Sequence, residues 1–351
     1  MKENQMKILL DYSLAELREI VAEIGEKPFR GNQIYSNLVA GKSISEMTDV
    51  SKALKDKLLS VYADKPCKII KELISKDGTK KFLFALWDGN VIEGVLMKYK
   101  YGNTLCVSTQ VGCRMGCKFC ASTLGGLVRN LSAGEILSEV IAVNRHEGGT
   151  DKKRAVTNVV LMGSGEPLDN YDNVVKFIRL LSDENSLNVS PRNVSLSTCG
   201  LVPKMLSLAD ENLPINLTVS LHNPFDEKRR EIMPVANSYT VKEILSACEN
   251  YFEKTGRRYY FEYSLISGQN DTDECLAELL RFLKGKPCHV NLIRLNSVKE
   301  KNLNGTSEKR AFEFMNKLNE GGVSATMRRR MGVDIDGACG QLRRSYLGEK
   351  A

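Results

Sequence analysis

The stretch Thr104-Leu105-Cys106-Val107-Ser108-Thr109-Gln110-Val111-Gly112-Cys113-Arg114-Met115-Gly116-Cys117-Lys118-Phe119-Cys120 decides the fold. Thr104 to Thr109 is rich in β-branched residues and predicts a strand. Three cysteines at C-x3-C-x2-C spacing follow directly. Three thiolates can hold three corners of an iron-sulfur cubane and leave one iron open, whereas an electron-transfer cluster or a structural zinc site normally takes four ligands. A zinc site completed by a distant Cys or His is the competing reading. Its position counts against it, because a loop leaving a strand of an α/β domain is where such folds place their active centre.

Beyond this stretch, strands and helices alternate regularly. Candidate strands are Ala155 to Met162, Asn193 to Ser197, Ile215 to Leu221, Tyr259 to Ile266, His289 to Leu295 and Val323 to Met327. Helical patterns fill the gaps, as in Ser132 to Asn144, where Ser132 and Glu135 form a capping box ahead of Ile136, Leu137, Val140 and Ile141. About six βα units result, two short of a full eight-fold barrel. The expected α/β fold is a partial (β/α)6 barrel or a doubly wound sheet, with ligands at the carboxyl ends of the strands. Upstream, residues 1–75 read as short helices, with Leu14, Leu17, Ile20, Val21 and Ile24 at helical spacing and a second set at Leu54, Leu58, Leu59 and Val61. Lys81 to Trp87 and Val91 to Met97 predict a hairpin around Asp88-Gly89-Asn90. The chain thus divides into a helical module (1–75), a β-hairpin linker (76–98), a barrel (99–330) and a C-terminal segment (331–351).

Composition bounds the rest. The 351 residues suggest about two domains at roughly 150 residues each. With 42% hydrophobic and 26% charged residues, a disordered, collagen-like or coiled-coil chain is excluded. No window approaches the ~18 apolar residues that span a bilayer, and no signal peptide is read, so a cytoplasmic protein without a membrane is expected. In that reducing compartment the ten cysteines bind metal or do chemistry more often than they cross-link. The net charge of +7 permits a polyanionic partner, and residues 328–351 carry +3 of it, led by Arg328, Arg329 and Arg330; a solvated tail is the bland reading of that run.

The C-x3-C-x2-C loop after the first strand of a partial barrel resembles the radical S-adenosylmethionine (SAM) enzymes, whose open iron is chelated by SAM. Nearly the whole chain resembles one branch of them, the RNA adenine methyltransferases that include RlmN and Cfr. The resemblance rests on Thr104 to Cys113, Met162-Gly163-Ser164-Gly165-Glu166-Pro167-Leu168, Leu196-Ser197-Thr198-Cys199-Gly200, Val219-Ser220-Leu221-His222, Asn291 to Asn296, and Gly332 to Leu342, in that order. Carried over residue by residue, it implies that Cys113, Cys117 and Cys120 ligate a 4Fe-4S cluster. It implies SAM contacts at Gly165, Glu166, Ser197, Ser220, Leu221, His222 and Asn296. Taken alone, Gly163 to Pro167 would be an ordinary Gly-rich turn and His222 a satisfied histidine. Cys67, Cys199, Cys248, Cys275 and Cys288 read as core residues or bystanders.

Three more residues take roles from the resemblance. Cys339, in the flexible Gly337-Ala338-Cys339-Gly340, matches the methyl acceptor, Cys106 the cysteine that resolves a protein-RNA adduct, and Glu93 the proton acceptor. The implied reaction uses two SAM per turnover: one methylates Cys339, and reductive cleavage of the other yields the radical that activates that methyl group. The route suits adenine, because a ring carbon between two nitrogens has no lone pair with which to attack SAM. Implied substrates are carbon 2 of an adenosine in the peptidyl-transferase region of 23S rRNA and of an anticodon-adjacent tRNA adenosine. The layout reads closer to these than to the carbon-8 chemistry of Cfr. A reductase such as flavodoxin or ferredoxin and a monomeric state are also expected. The base must be unstacked to react, with Arg328 to Arg330, Arg343 and Arg344 as phosphate contacts and the helical module as an RNA-docking element. Ser164, Val333 and Gly337 depart from the usual Met, Asp and Ala of the family, and none removes a catalytic group. The competing readings are a non-enzymatic RNA-binding protein with a structural metal, told apart by metal content and SAM cleavage, and a radical SAM enzyme acting on a protein or small molecule, against which the paired Cys106 and Cys339 argue.

Overall fold

The computed structural model describes residues 6–150, 153–295 and 304–335. Helix α1 (Leu14–Glu23) starts at a capping box in which the Ser13 hydroxyl accepts the Glu16 amide and the Glu16 carboxylate accepts the Ser13 amide. With α2 (Phe29–Val39) and α3 (Lys52–Leu59) it buries Leu17, Val21, Ile34, Leu38 and Leu54. The helical reading of residues 1–75 holds no further, because Cys67–Ile74 is a strand, β1. A register shift between Ile69 and Lys71 breaks its period-two pattern and leaves Ile70 and Ile74 exposed, so it does not look like a strand in sequence. Antiparallel to it runs β2 (Lys80–Leu86), then β3 (Val91–Tyr99) through the expected Asp88-Gly89-Asn90 turn, with Gly89 at φ +83°. Strand β4 (Gly102–Cys106) pairs antiparallel with β3.

Strand β4 also opens the parallel part. It is shorter than the expected Thr104 to Thr109 because the chain turns away to form a separate two-stranded ribbon, β5 (Gln110–Gly112) with β6 (Leu127–Asn130). Then follow α4 (Ala133–His146), β7 (Asn158–Leu161), α5 (Tyr171–Ser182), β8 (Val194–Thr198), α6 (Val202–Ala209), β9 (Asn216–Ser220), α7 (Asp226–Ile232), α8 (Val241–Thr255), β10 (Tyr259–Leu265), α9 (Asp273–Leu283), β11 (Cys288–Arg294), α10 (Glu308–Glu320) and β12 (Ala325–Met327). Apart from β5 and β6, the strands belong to one ten-stranded sheet of order β1-β2-β3-β4-β7-β8-β9-β10-β11-β12. Its parallel strands stand in sequence order without a reversal. Right-handed crossovers then set every connecting helix on the same face, and the doubly wound alternative, whose order reverses at a switch point, falls.

The two faces of the parallel strands differ. Leu105, Val159, Leu196, Leu217, Val219, Phe261 and Leu292 are fully buried in one core with the helices. The alternate residues turn inward and are largely polar: Thr104, Asn158, Ser195, Thr218, Asn291 and Thr326 line a space of about 570 Å³ in the amino-terminal half of the sheet's hollow. A closed eight-stranded barrel fills this space with branched apolar side chains. Here it stays open.

Helix α4 carries the capping box expected at Ser132 and Glu135. The Asp11 carboxylate accepts the Gly134 amide at 2.6 Å, which docks the helical module on the barrel. After β12 the chain crosses to the β1–β2 turn, where Asp77 accepts the Gly332 amide at 2.9 Å and Asp334 accepts from Ser75 and from the Lys76 amide.

Candidate active site

The ribbon of β5 and β6 is a stem that carries the cysteine loop. Gly112, at φ +81°, is required there, since a Cβ would sit 2.0 Å from the Gly126 carbonyl oxygen. The Cys113 amide closes the loop on that same oxygen at 2.9 Å, and the Thr123 hydroxyl donates to the carbonyls of Cys117 and Cys120. Arg114 pairs with Asp169 from outside. Cys113 and Cys117 are buried, Cys120 is half-buried, and all three face a cavity of about 380 Å³ at the carboxyl ends of the strands.

Glu166 and Gly165 reach this cavity on the turn after β7. Gly165, at φ +113°, lies so close to the chain after β4 that a Cβ would be 2.7 Å from Gln110 and Thr109 side-chain atoms. The Glu166 amide donates to the Gln110 side chain at 2.9 Å, tying this turn to the stem. Its buried carboxylate accepts the amides of Leu168 at 3.0 Å and Cys199 at 2.7 Å, so it braces the ends of β7 and β8. Burial raises its pKa, against the lowering effect of these amides. Ser197 and Ser220, at the ends of β8 and β9, line the cavity. The Leu221 side chain belongs to the main core, its amide donates to the Glu262 carbonyl, and it is not among the residues that line the cavity. Asn296 lies outside the described residues.

His222 is also buried against the cavity, with a positive φ of 56°. Its Nδ1 accepts the Ser264 amide at 2.9 Å and its ring packs edge-on to Phe119 at 4.6 Å. Burial, with Arg229 adding to it, pushes its pKa down to about 3, so the ring is neutral and its proton sits on Nε2.

Cys106, at the end of β4, is buried in the same cavity wall. Glu93 lies on β3, on the strand face of Val95 and Met97, which line the cavity. Its carboxylate is 3.6 Å from the ammonium of Lys81, a wholly buried lysine on β2 that the sequence reading did not single out. Cys339, like Arg343 and Arg344, lies outside the described residues.

Three placements depart from the sequence reading. Cys199, read as a bystander, lines the cavity beside Cys117, and burial raises its thiol, the Glu166 carboxylate adding to the rise. Arg328 is part of the fold rather than of a solvated tail: its amide donates to the Leu292 carbonyl, and its guanidinium meets the buried Glu262 at 3.2 Å in the cavity wall. Arg229 was missed because Asp226 to Glu231 is all charged and reads as a solvated turn of helix. The available signal was its spacing with Phe225 and Ile232, which puts it on the buried face.

The donor set suits a multi-iron cluster better than a single metal ion. Three thiolates leave one corner of a cubane open, whereas a structural zinc site normally takes four ligands. Burial pushes the Cys113 thiol up to about 12 and raises Cys117 as well, so bound positive charge is what would hold them as thiolates. Cys199, the nearby fourth sulfur, stands outside the three-cysteine loop, on the turn after β8. Three soft donors remain.

A partial barrel with a three-cysteine loop at the carboxyl end of its first parallel strand is the architecture of a radical SAM enzyme, and the Radical SAM superfamily model matches residues 107–283. Residues 8–63 match the ribosomal RNA large subunit methyltransferase N-terminal domain. The chain is 53% identical over 348 residues to a "Probable dual-specificity RNA methyltransferase RlmN" of Clostridium perfringens strain SM101, covering 98% of this chain and 99% of that one. The protein of the same description from Lachnoclostridium phytofermentans is 52% identical over 337 residues, covering 95% and 93%. The crystal structure of a radical SAM methyltransferase from Sphaerobacter thermophilus superposes with a TM-score of 0.90 at 41% identity, covering 95% of this chain and 98% of that one. The chain belongs to the RlmN family of dual-specificity radical SAM RNA methyltransferases. That family implies a 4Fe-4S cluster, SAM and RNA substrates. No helix among the described residues is long and apolar enough to cross a membrane.

Proposed function

We propose that the protein methylates carbon 2 of an adenosine in the peptidyl-transferase region of 23S rRNA and of the adenosine beside the tRNA anticodon, in the cytoplasm and as a monomer, with flavodoxin or ferredoxin as its reductase. The observation that supports this reading most is the position of Cys106 in the same cavity wall as Cys113, Cys117 and Cys120. A thiol there can reach an adduct formed next to the cluster. Cys113, Cys117 and Cys120 hold the cluster, and Gly165, Glu166, Ser197, Ser220, Leu221, His222 and Asn296 hold SAM, two molecules of which serve each turnover. Bound there, the two supply one-electron chemistry and a methyl group.

The chain's own residues do the rest. Cys339 carries the methyl group; one hydrogen atom leaves it as 5'-deoxyadenosine once bound SAM is cleaved, the remaining CH2 carbon joins carbon 2 of the adenine, and the one electron left over as the ring proton departs returns to the cluster. Glu93 takes the ring proton from that carbon. The Cys106 thiolate then attacks the Cys339 sulfur, so that a sulfur-sulfur bond forms, the sulfur-carbon bond breaks, and the released carbon takes up a proton to become the methyl group. Arg329 and Arg330, which line the cavity, meet phosphates flanking an unstacked base together with Arg343 and Arg344, and the helical module serves as the RNA-docking element. Replacing Cys106 by Ala removes the resolving step. Denaturing electrophoresis of Cys106→Ala after turnover with labelled rRNA fragment is expected to show RNA covalently attached through Cys339. A band at the mobility of free RNA, with SAM still cleaved, would contradict the role.

A further inference from the structure

Arg229 on α7 is fully buried, yet all three hydrogen bonds of its side chain among the described residues go to backbone carbonyls: Nε to Leu221 at 3.0 Å, and Nη2 to Cys199 at 2.7 Å and Ser220 at 3.1 Å. No carboxylate among the described residues pairs with it within 4.0 Å. Its Nη1 is buried without any partner among them. A guanidinium out of water with no anion beside it is costly, and a fold keeps such a group where an anion completes it. Ile232 at the end of α7 and the following Met233 pack with Cys117 and Cys199 in one buried hydrophobic cluster, which sets Arg229 beside the cysteine loop.

We infer that Arg229 is the fixed counter-cation of the cluster and raises its reduction potential through its charge. A 4Fe-4S core held by three thiolates carries net negative charge and gains another unit on reduction. A buried cation beside it favours the reduced form. The carbonyls it grips end β8 and β9, so the same side chain fixes the strand ends that carry Ser197, Ser220 and His222. Arg229 is thus a positioning residue that acts through the cluster. The inference rests on Cys113, Cys117 and Cys120 being the cluster ligands.

The test is an anaerobic redox titration followed by EPR on reconstituted protein, comparing the parent with Arg229→Met and Arg229→Lys at equal iron content. Arg229→Met is expected to lower the reduction equilibrium constant at least tenfold, about 59 mV for a one-electron couple, and Arg229→Lys to lower it by less than half as many millivolts. An unchanged midpoint in Arg229→Met, or an equal fall in both variants, overturns the inference. The parent protein gives a reading without any substitution: with 15N-labelled arginine, pulsed EPR of the reduced cluster is expected to show a nitrogen coupling that Arg229→Lys lacks, and its absence also overturns the inference. Failure of the ligand assignment shows separately, as full cluster iron in Cys117→Ala.

Discussion

Glu139 is fully buried on α4, one carboxylate oxygen accepting the Ser108 amide at 3.1 Å and the other unpartnered among the described residues. Burial raises its pKa well above the ordinary 4.5. A carboxyl raised on folding makes the folded state bind more protons than the unfolded one, so stability falls as pH rises from the unfolded value through the folded one. Glu139→Gln lacks this dependence. Urea unfolding at pH 6 and pH 8 is expected to show the variant gaining on the parent as pH rises, and a constant difference would refute the linkage. At this scale the sequence is legible where spacing carries chemistry, as in the cysteine loop. Lys81, Arg229 and Glu139 were not legible, because a charged residue looks solvated until tertiary structure surrounds it. Cys199 shows the converse: a cysteine with no spaced partner reads as core, yet the end of β8 delivers it to the cavity.

Among the elements, the segment 331–335 bears most on function, since it leads from β12 toward Cys339. Its anchor is on the β1–β2 turn. Burial opposes it, but hydrogen bonds from Gly332 and Thr79 hold the Asp77 carboxyl below its ordinary 3.8, and bonds from Ser75 and Lys76 do the same for Asp334. Groups with lowered folded values stabilise fully above the unfolded value and lose that contribution as pH falls through the folded one. Docking is therefore complete at neutral pH and released in acid. Asp334→Asn is expected to speed hydrogen exchange at the Lys76 amide roughly tenfold, the low end for one lost hydrogen bond to a charged acceptor, about 1.5 kcal/mol. Exchange equal to the parent would show that Asp334 does not anchor the segment. The missed strand β1 belongs to the same anchor, and its bulge hid it from a period-two reading. The capping boxes and the hairpin turn, whose signals are local, were read directly from the sequence.

For the molecule as a whole, the count and order of βα units were legible because each unit announces itself locally. The open barrel was legible in the same count, two units short of closure; the size of its hollow was not, because that depends on how many strands share one curved sheet. Its polar lining was present as alternation, for example Asn216, Thr218 and Ser220 inside against Leu217 and Val219 outside. A ten-stranded sheet that keeps its parallel hollow open leaves room for a substrate far larger than SAM. The central claim is that this hollow hosts methyl transfer to carbon 2 of adenosine. The most direct measurement takes anaerobic, cluster-loaded protein with a reductant, SAM carrying a labelled methyl group and an rRNA fragment from the peptidyl-transferase region, and analyses the digested nucleosides by chromatography and mass spectrometry. Labelled 2-methyladenosine is the predicted product. Labelled 8-methyladenosine, or no methylated adenosine from protein that cleaves SAM, would contradict the account.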